Sequence, residues 1–200
     1  MKKLKSVFIA LFAAIICAGA FMKIPLGLVP IVLQNVLCIL SGVIFGGLLS
    51  AAPTALFLLA GLVGLPVYSG GSSGPAVWIG PTGGFLSGYL LGALVSGLIA
   101  GTPDVNESKI TVKNAVRITI AIFAGMIILY VPGVIHFARW AKKMEKVPAD
   151  KTALAFTLSA CVIPYLPGDL LKIIVAVPVA LKIRPLLARY LYSNEKSDSE

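Results

Sequence analysis

Asp169 and Lys172 stand three residues apart in the run Pro164-Tyr165-Leu166-Pro167-Gly168-Asp169-Leu170-Leu171-Lys172. The chain then continues Ile-Ile-Val-Ala-Val-Pro-Val-Ala-Leu, a stretch that belongs in lipid or a buried core. An acid and a base at positions i and i+3 of a helix share a face, so both side chains reach one place. The Pro-Gly pair predicts a break before that helix, with Asp169 as its N-cap. Ionisable groups at such a depth are costly to desolvate and mark a functional site by default. The chemistry such a pair offers is charge-assisted hydrogen bonding. A structural role stands beside this reading, with Asp169 capping the helix and Lys172 neutralising it.

The composition says what kind of scaffold must hold the pair. Hydrophobic residues make up 58% of the 200-residue chain and charged residues 12%, with a mean hydropathy of +0.96. Soluble domains carry roughly 25% charged residues, so the chain is predicted to be one integral membrane domain. The net charge of +9 does not make a nucleic-acid binder. Its cations flank apolar runs, as at membrane borders, and form no basic face with interleaved aromatics. Cys17, Cys38 and Cys161 are isolated and odd in number, so no disulfide framework or metal spacing is present. His136 is the only histidine and has no ligand partner nearby in sequence, which argues against metal catalysis.

Apolar runs of about 20 residues bounded by breakers predict an all-α membrane protein, a bundle of six transmembrane helices within residues 1–200. The spans fall at about 7–21, 31–50, 53–64, 82–101, 115–133 and 169–188. The third is short or tilted. The basic start and apolar run at residues 1–20 resemble a signal peptide, but a retained first helix is the expectation. The cationic segment His136 to Lys151 is expected to hold an interfacial helix, and Ala153 to Ile163 is too short to span. Lys2, Lys3 and Lys5, with Lys182, Arg184 and Arg189, place both termini in the cytoplasm, and the bias over the loops is weak but of the same sign.

Three further features carry information. Ala10, Ala14 and Ala18 form a four-residue stripe, smooth enough for another helix to approach, whether a sister helix or an external partner. Gln34, next to Asn35 in an apolar run after Pro30, needs either an interhelical hydrogen bond or a ligand. The glycine-rich tract Gly64 to Gly84 is a candidate lid or mouth of a site. It holds Tyr68 and Trp78, which either stack on a ligand or anchor at the interface. No G-x-x-x-x-G-K-[ST] occurs in the chain, so it has no phosphate loop for nucleotide hydrolysis.

These residues resemble the biotin-specific substrate-binding subunits, the BioY family, of bacterial energy-coupling-factor (ECF) transporters. The resemblance covers nearly the whole length. It rests on Gly64-Leu65-Pro66-Val67-Tyr68, on Gly80-Pro81-Thr82-Gly83-Gly84-Phe85-Leu86-Ser87-Gly88-Tyr89, and on the run from Pro164 to Lys172. Pro30 and Gln34 match a Pro-x-x-x-Gln pattern, although Val32 stands where the family commonly has Thr.

The resemblance implies a six-helix bundle with the vitamin bound near its outer face. It implies a binding set of Asp169, Lys172, Gln34, Tyr68, Trp78, Gly84 and Tyr89, and a coupling-protein surface at Ala10, Ala14 and Ala18. Biotin offers ureido N–H donors and a carbonyl acceptor, an apolar ring and chain, and a carboxylate. Asp169 suits the ureido donors, and Lys172 suits either the ureido carbonyl or the carboxylate. The expected protein is a transport subunit in the bacterial cell membrane, without cofactor or ATPase of its own. Its expected partners are a transmembrane coupling protein and two cytoplasmic ATPases. The alternatives are a subunit for another vitamin, riboflavin or thiamine, and an integral-membrane transferase. The transferase would need a clustered acidic site or a nucleophile–base pair, and the eight acids are scattered.

Overall fold

The computed structural model describes residues 2–24, 31–104 and 111–192. Pro25, Pro30, Lys109 and Lys196 lie outside the described residues. Helix α1 spans Lys2–Ala18 and leads into a small hairpin, Lys23–Ile24 paired antiparallel with Ile31–Val32. Helix α2, Gln34–Phe45, is followed by a 3-10 turn over Gly47–Ala51 and by α3, Ala52–Leu62. A loop with a tight turn at Ser69–Gly71 reaches the short helix α4, Pro75–Ile79. Helices α5, Gly83–Ala100, and α6, Val112–Lys143, follow. The chain ends in α7, Ala153–Cys161, and α8, Leu166–Tyr192.

The helical expectation holds, and α5 and α6 are each long and apolar enough to cross a membrane. They pack along a row of glycines. Gly84, Gly88 and Gly92 repeat every four residues and so lie on one face of α5. A Cβ on them would sit 2.4 Å from the Pro132 carbonyl, 2.2 Å from the Leu129 carbonyl and 2.6 Å from the Gly125 carbonyl. Only hydrogen fits there, so main chain meets main chain, the close approach that holds helices together in lipid. Ile39 of α2 closes this seam, buried completely with its Cδ1 against both Gly92 and Gly125.

Three expectations are corrected. Residues 31–50 do not form one helix, because the chain turns at Gly46 and Gly47, with φ of 63° and 55°. A Cβ at Gly46 would lie 2.0 Å from the Gly101 carbonyl, so the turn is fixed by contact with the end of α5. The cationic segment from His136 is not a separate interfacial helix; α6 runs unbroken through Pro132 to Lys143. Its buried stripe continues through Gly133, Phe137 and Ala141, while Arg139, Lys142 and Lys143 point outward. An amphipathic face with its four-residue period intact outweighs the missing proline N–H.

The third correction concerns α8. It begins at Leu166, so Pro167 and Gly168 are inside its first turn and Asp169 is not the N-cap. Proline is tolerated there because the first N–H groups of a helix have no intrahelical partner.

Farther along α8, Arg184 is only 1% exposed, whereas the sequence predicts a cation flanking the membrane. Its guanidinium donates to the Val43 carbonyl in the last turn of α2. It also donates to the carbonyls of Ala100 and Gly101 at the end of α5, both at 3.1 Å. Helix C-termini leave carbonyls unpaired and carry partial negative charge, and a buried cation satisfies both.

Candidate functional site

The first two turns of α8, the first turn of α2 and the middle of α6 bring four polar side chains together. Lys172 Nζ lies 2.9 Å from Asp169 Oδ1, so the i, i+3 pair forms as its spacing predicts. Asn35 Nδ2 donates to the same oxygen at 2.9 Å, and the Tyr130 hydroxyl of α6 donates to Asp169 Oδ2. Lys172 donates further to Asn35 Oδ1 at 3.0 Å and to the Val32 carbonyl at 2.8 Å. Asn35 Oδ1 also accepts from the Val36 N–H at 2.9 Å. Each charged group therefore has several partners, which is what makes an ion pair tolerable at this depth. Asp169 and Lys172 keep 6% and 12% side-chain exposure.

Lys172, Asn35 and Tyr130 border a cavity, whereas Asp169 is not among its lining residues and borders a separate apolar recess with Phe123, Met126, Ile127 and Leu170. Val32, Gln34, Asn35 and Lys172 line the cavity together with Phe85, Leu86 and Tyr89 of α5 and Leu129 and Tyr130 of α6. Cys161, Tyr165, Val77 of α4 and the loop residues Tyr68, Ser69, Ser72 and Thr82 complete it. Its walls thus join a charged corner to an apolar and aromatic surface. A small ligand with polar groups on a ring and an apolar body fits that division.

The loop wall is held by Tyr68. Its ring is 1% exposed, packs on the bare face of Gly61 and meets Phe57 edge-on with centroids 5.6 Å apart. Burial pushes the phenol up from its ordinary value, partly offset by the Trp78 N–H, so the hydroxyl keeps its proton. It donates to the Leu58 carbonyl at 2.6 Å and accepts from Trp78 Nε1 at 3.0 Å. Trp78 itself is not among the lining residues; it braces Tyr68. Gly84 is likewise outside the lining and belongs to the α5–α6 seam.

Gln34 and Asn35 divide the work. Gln34 Nε2 donates to the Val67 carbonyl at 2.9 Å and to the Ile16 carbonyl at 3.4 Å, tying α2 to the loop and to α1. It is Asn35, one residue on, that faces Asp169. Sequence reasoning singled out Gln34 and missed Asn35 and Tyr130. The available signal for Asn35 was an amide within an apolar run, but adjacent residues point about 100° apart and nothing in the sequence says which faces α8. Tyr130 offered only a lone hydroxyl in a span. On the outside of α1, Ala10, Ala14 and Ala18 are all exposed, while Ala13 and Ile16 pack inward. The stripe therefore does not pack within this subunit.

Comparison with known proteins covers almost the whole chain. The BioY family model matches residues 1–189. The biotin transporter BioY of Rhodobacter capsulatus is 39% identical over 189 residues, covering 90% of this chain and 96% of that protein. The corresponding transporter of Thermotoga maritima is 33% identical over 176 residues, covering 88% and 93%. Among solved structures, the S-component for biotin from an ECF-type ABC transporter superposes with a TM-score of 0.70. It is 26% identical, and the match covers 92% of each chain.

Proposed function

The chain belongs to the BioY family, and from that premise we propose that it is the high-affinity biotin-binding membrane subunit of an ATP-driven energy-coupling-factor vitamin importer. It is a transport subunit rather than an enzyme. The observation that carries this reading is the Asp169–Lys172 pair, held by Asn35 and Tyr130, with Lys172, Asn35 and Tyr130 forming the polar corner of an otherwise largely apolar cavity and Asp169 bonded to all three.

Biotin matches that corner group by group. Asp169 accepts from the ureido N–H donors, and Lys172 donates to the ureido carbonyl after exchanging one of its present oxygen partners. Charge-assisted hydrogen bonds of this kind contribute roughly 1.5–3 kcal/mol each. Phe85, Tyr89 and Leu129 receive the apolar ring, and Tyr68 with Gln34 closes the loop side.

The remaining assignments complete the transport reading. The membrane is crossed six times, by α1, α2, the turn-plus-helix 47–62, α5, α6 and α8, with both termini cytoplasmic. The outward alanines at 10, 14 and 18 give α1 a flat face on which a transmembrane coupling protein packs, with two cytoplasmic ATPases supplying the energy.

The test is a calorimetric titration of the purified protein with biotin, riboflavin and thiamine, without nucleotide. Biotin is expected to bind far more tightly than the other two. Equal binding of all three, or none, overturns the assignment.

A further inference from the structure

We propose that the turn Ser69–Ser72 is the carboxylate end of the ligand cavity, a subsite built from neutral hydroxyls and not from a cation. The inference rests on the biotin reading and deepens it, because it assigns the end of the ligand that the Asp169 corner does not take.

The argument starts from what the charged corner has to offer an anion. Lys172 is the only cation lining the cavity among the described residues, and its ammonium already serves three oxygens: Val32 O, Asn35 Oδ1 and Asp169 Oδ1. An ammonium has three donors, and the one it can exchange goes to the ureido carbonyl in the reading above. A ligand carboxylate placed there would also face the Asp169 carboxylate at close range, which like charge disfavours. The acid group is therefore directed elsewhere in the same cavity.

The loop between α3 and α4 provides donors elsewhere in the lining. Ser69 Oγ is buried without a hydrogen-bond partner, although Ser69 lines the cavity. A buried hydroxyl left unpaired is uncommon in native structures and calls for an explanation. Ser72 Oγ donates only to the Ser69 carbonyl, at 3.1 Å, and the Thr82 side chain makes no capping bond to α5. Both line the cavity as well. A carboxylate accepts only, and a hydroxyl rotates to donate, so the three groups match the end of an acidic tail.

These hydroxyls are also held in place. The Tyr68 N–H bonds the Ser72 carbonyl at 3.0 Å, the Gly71 N–H bonds the Tyr68 carbonyl at 2.9 Å, and the Gly70 N–H reaches Ala20 O at 3.1 Å. Gly70 and Gly71 take φ of 72° and 78°, a sharp turn that other side chains would strain. A turn fixed before the ligand arrives loses little freedom on binding.

The experiment compares biotin with its methyl ester on the purified wild-type protein, Ser69→Ala and Ser69→Thr, by calorimetry. Ser69→Ala is expected to lose about tenfold in affinity for the acid and nothing for the ester. Ser69→Thr, which keeps the hydroxyl, is expected to hold the wild-type ratio between the two ligands. Equal loss on acid and ester in Ser69→Ala, or no loss on either, overturns the subsite while leaving the biotin reading intact. A wild-type protein that binds neither ligand removes the biotin reading and the subsite with it.

Discussion

The two ends of α8 bury charge in different ways. At Asp169 and Lys172 the partners are largely side chains, an asparagine, a tyrosine and each other, and Lys172, Asn35 and Tyr130 line a cavity. Fifteen residues on, about 22 Å along the helix at 1.5 Å per residue, Arg184 meets main-chain carbonyls at the ends of α2 and α5. Side chains can rotate to new partners when a ligand arrives; carbonyls at helix ends cannot. Burial of an ionisable group therefore does not by itself identify a binding site. The nature of its partners does, together with access from a cavity.

Removing the guanidinium tests the structural end first and has the largest expected effect on the fold. Arg184→Met strands carbonyls of two helices and should lower stability by about 3 kcal/mol or more. Thermal unfolding in detergent measures this, and Arg184→Lys should recover part of the loss. A variant as stable as wild type would break the distinction between the two ends.

The cavity end should respond in the opposite sense, losing affinity while keeping the fold. Asp169→Asn and Lys172→Met should each weaken biotin binding by roughly tenfold to a hundredfold, since each removes a charge-assisted bond. Calorimetry and thermal unfolding on the same samples separate binding from folding. Normal binding in both variants would make this pair structural too, like Arg184.

Tyr130→Phe sharpens the comparison with the smallest change. It deletes one hydroxyl that donates to Asp169 Oδ2 and leaves the ring against Phe85, at a centroid distance of 6.2 Å. Biotin affinity should fall by roughly fivefold with the melting temperature nearly unchanged, in line with a single hydrogen bond of about 1 kcal/mol. An affinity identical to wild type would place Tyr130 outside the recognition machinery.

The sequence made one part of this arrangement plain and hid the other. The i, i+3 rule operates within a single helix, so Asp169 and Lys172 were legible from spacing alone. Asn35 was not, because its partner is 134 residues away and only the packing of α2 on α8 brings them together. Arg184 misled for a related reason. A cation near the end of an apolar run reads as a membrane border, and nothing in the run reveals that two helix C-termini converge on it. The length of α6 was obscured by Pro132 and by the cations beyond it. Only the four-residue recurrence of Gly133, Phe137 and Ala141 told of its continuation.

The glycine row of α5 has a mechanical consequence. Where backbone touches backbone there are no rotamers to yield, and shifting the two helices by even an ångström would open a void or force a clash. Helices α5 and α6 therefore behave as one rigid plate, and Phe85, Tyr89, Leu129 and Tyr130 form its fixed inner surface. The opposing wall is built from the loop between α3 and α4, the start of α2 and Lys172 in the second turn of α8. Whatever motion lets a ligand in or out must come from that wall swinging against the plate.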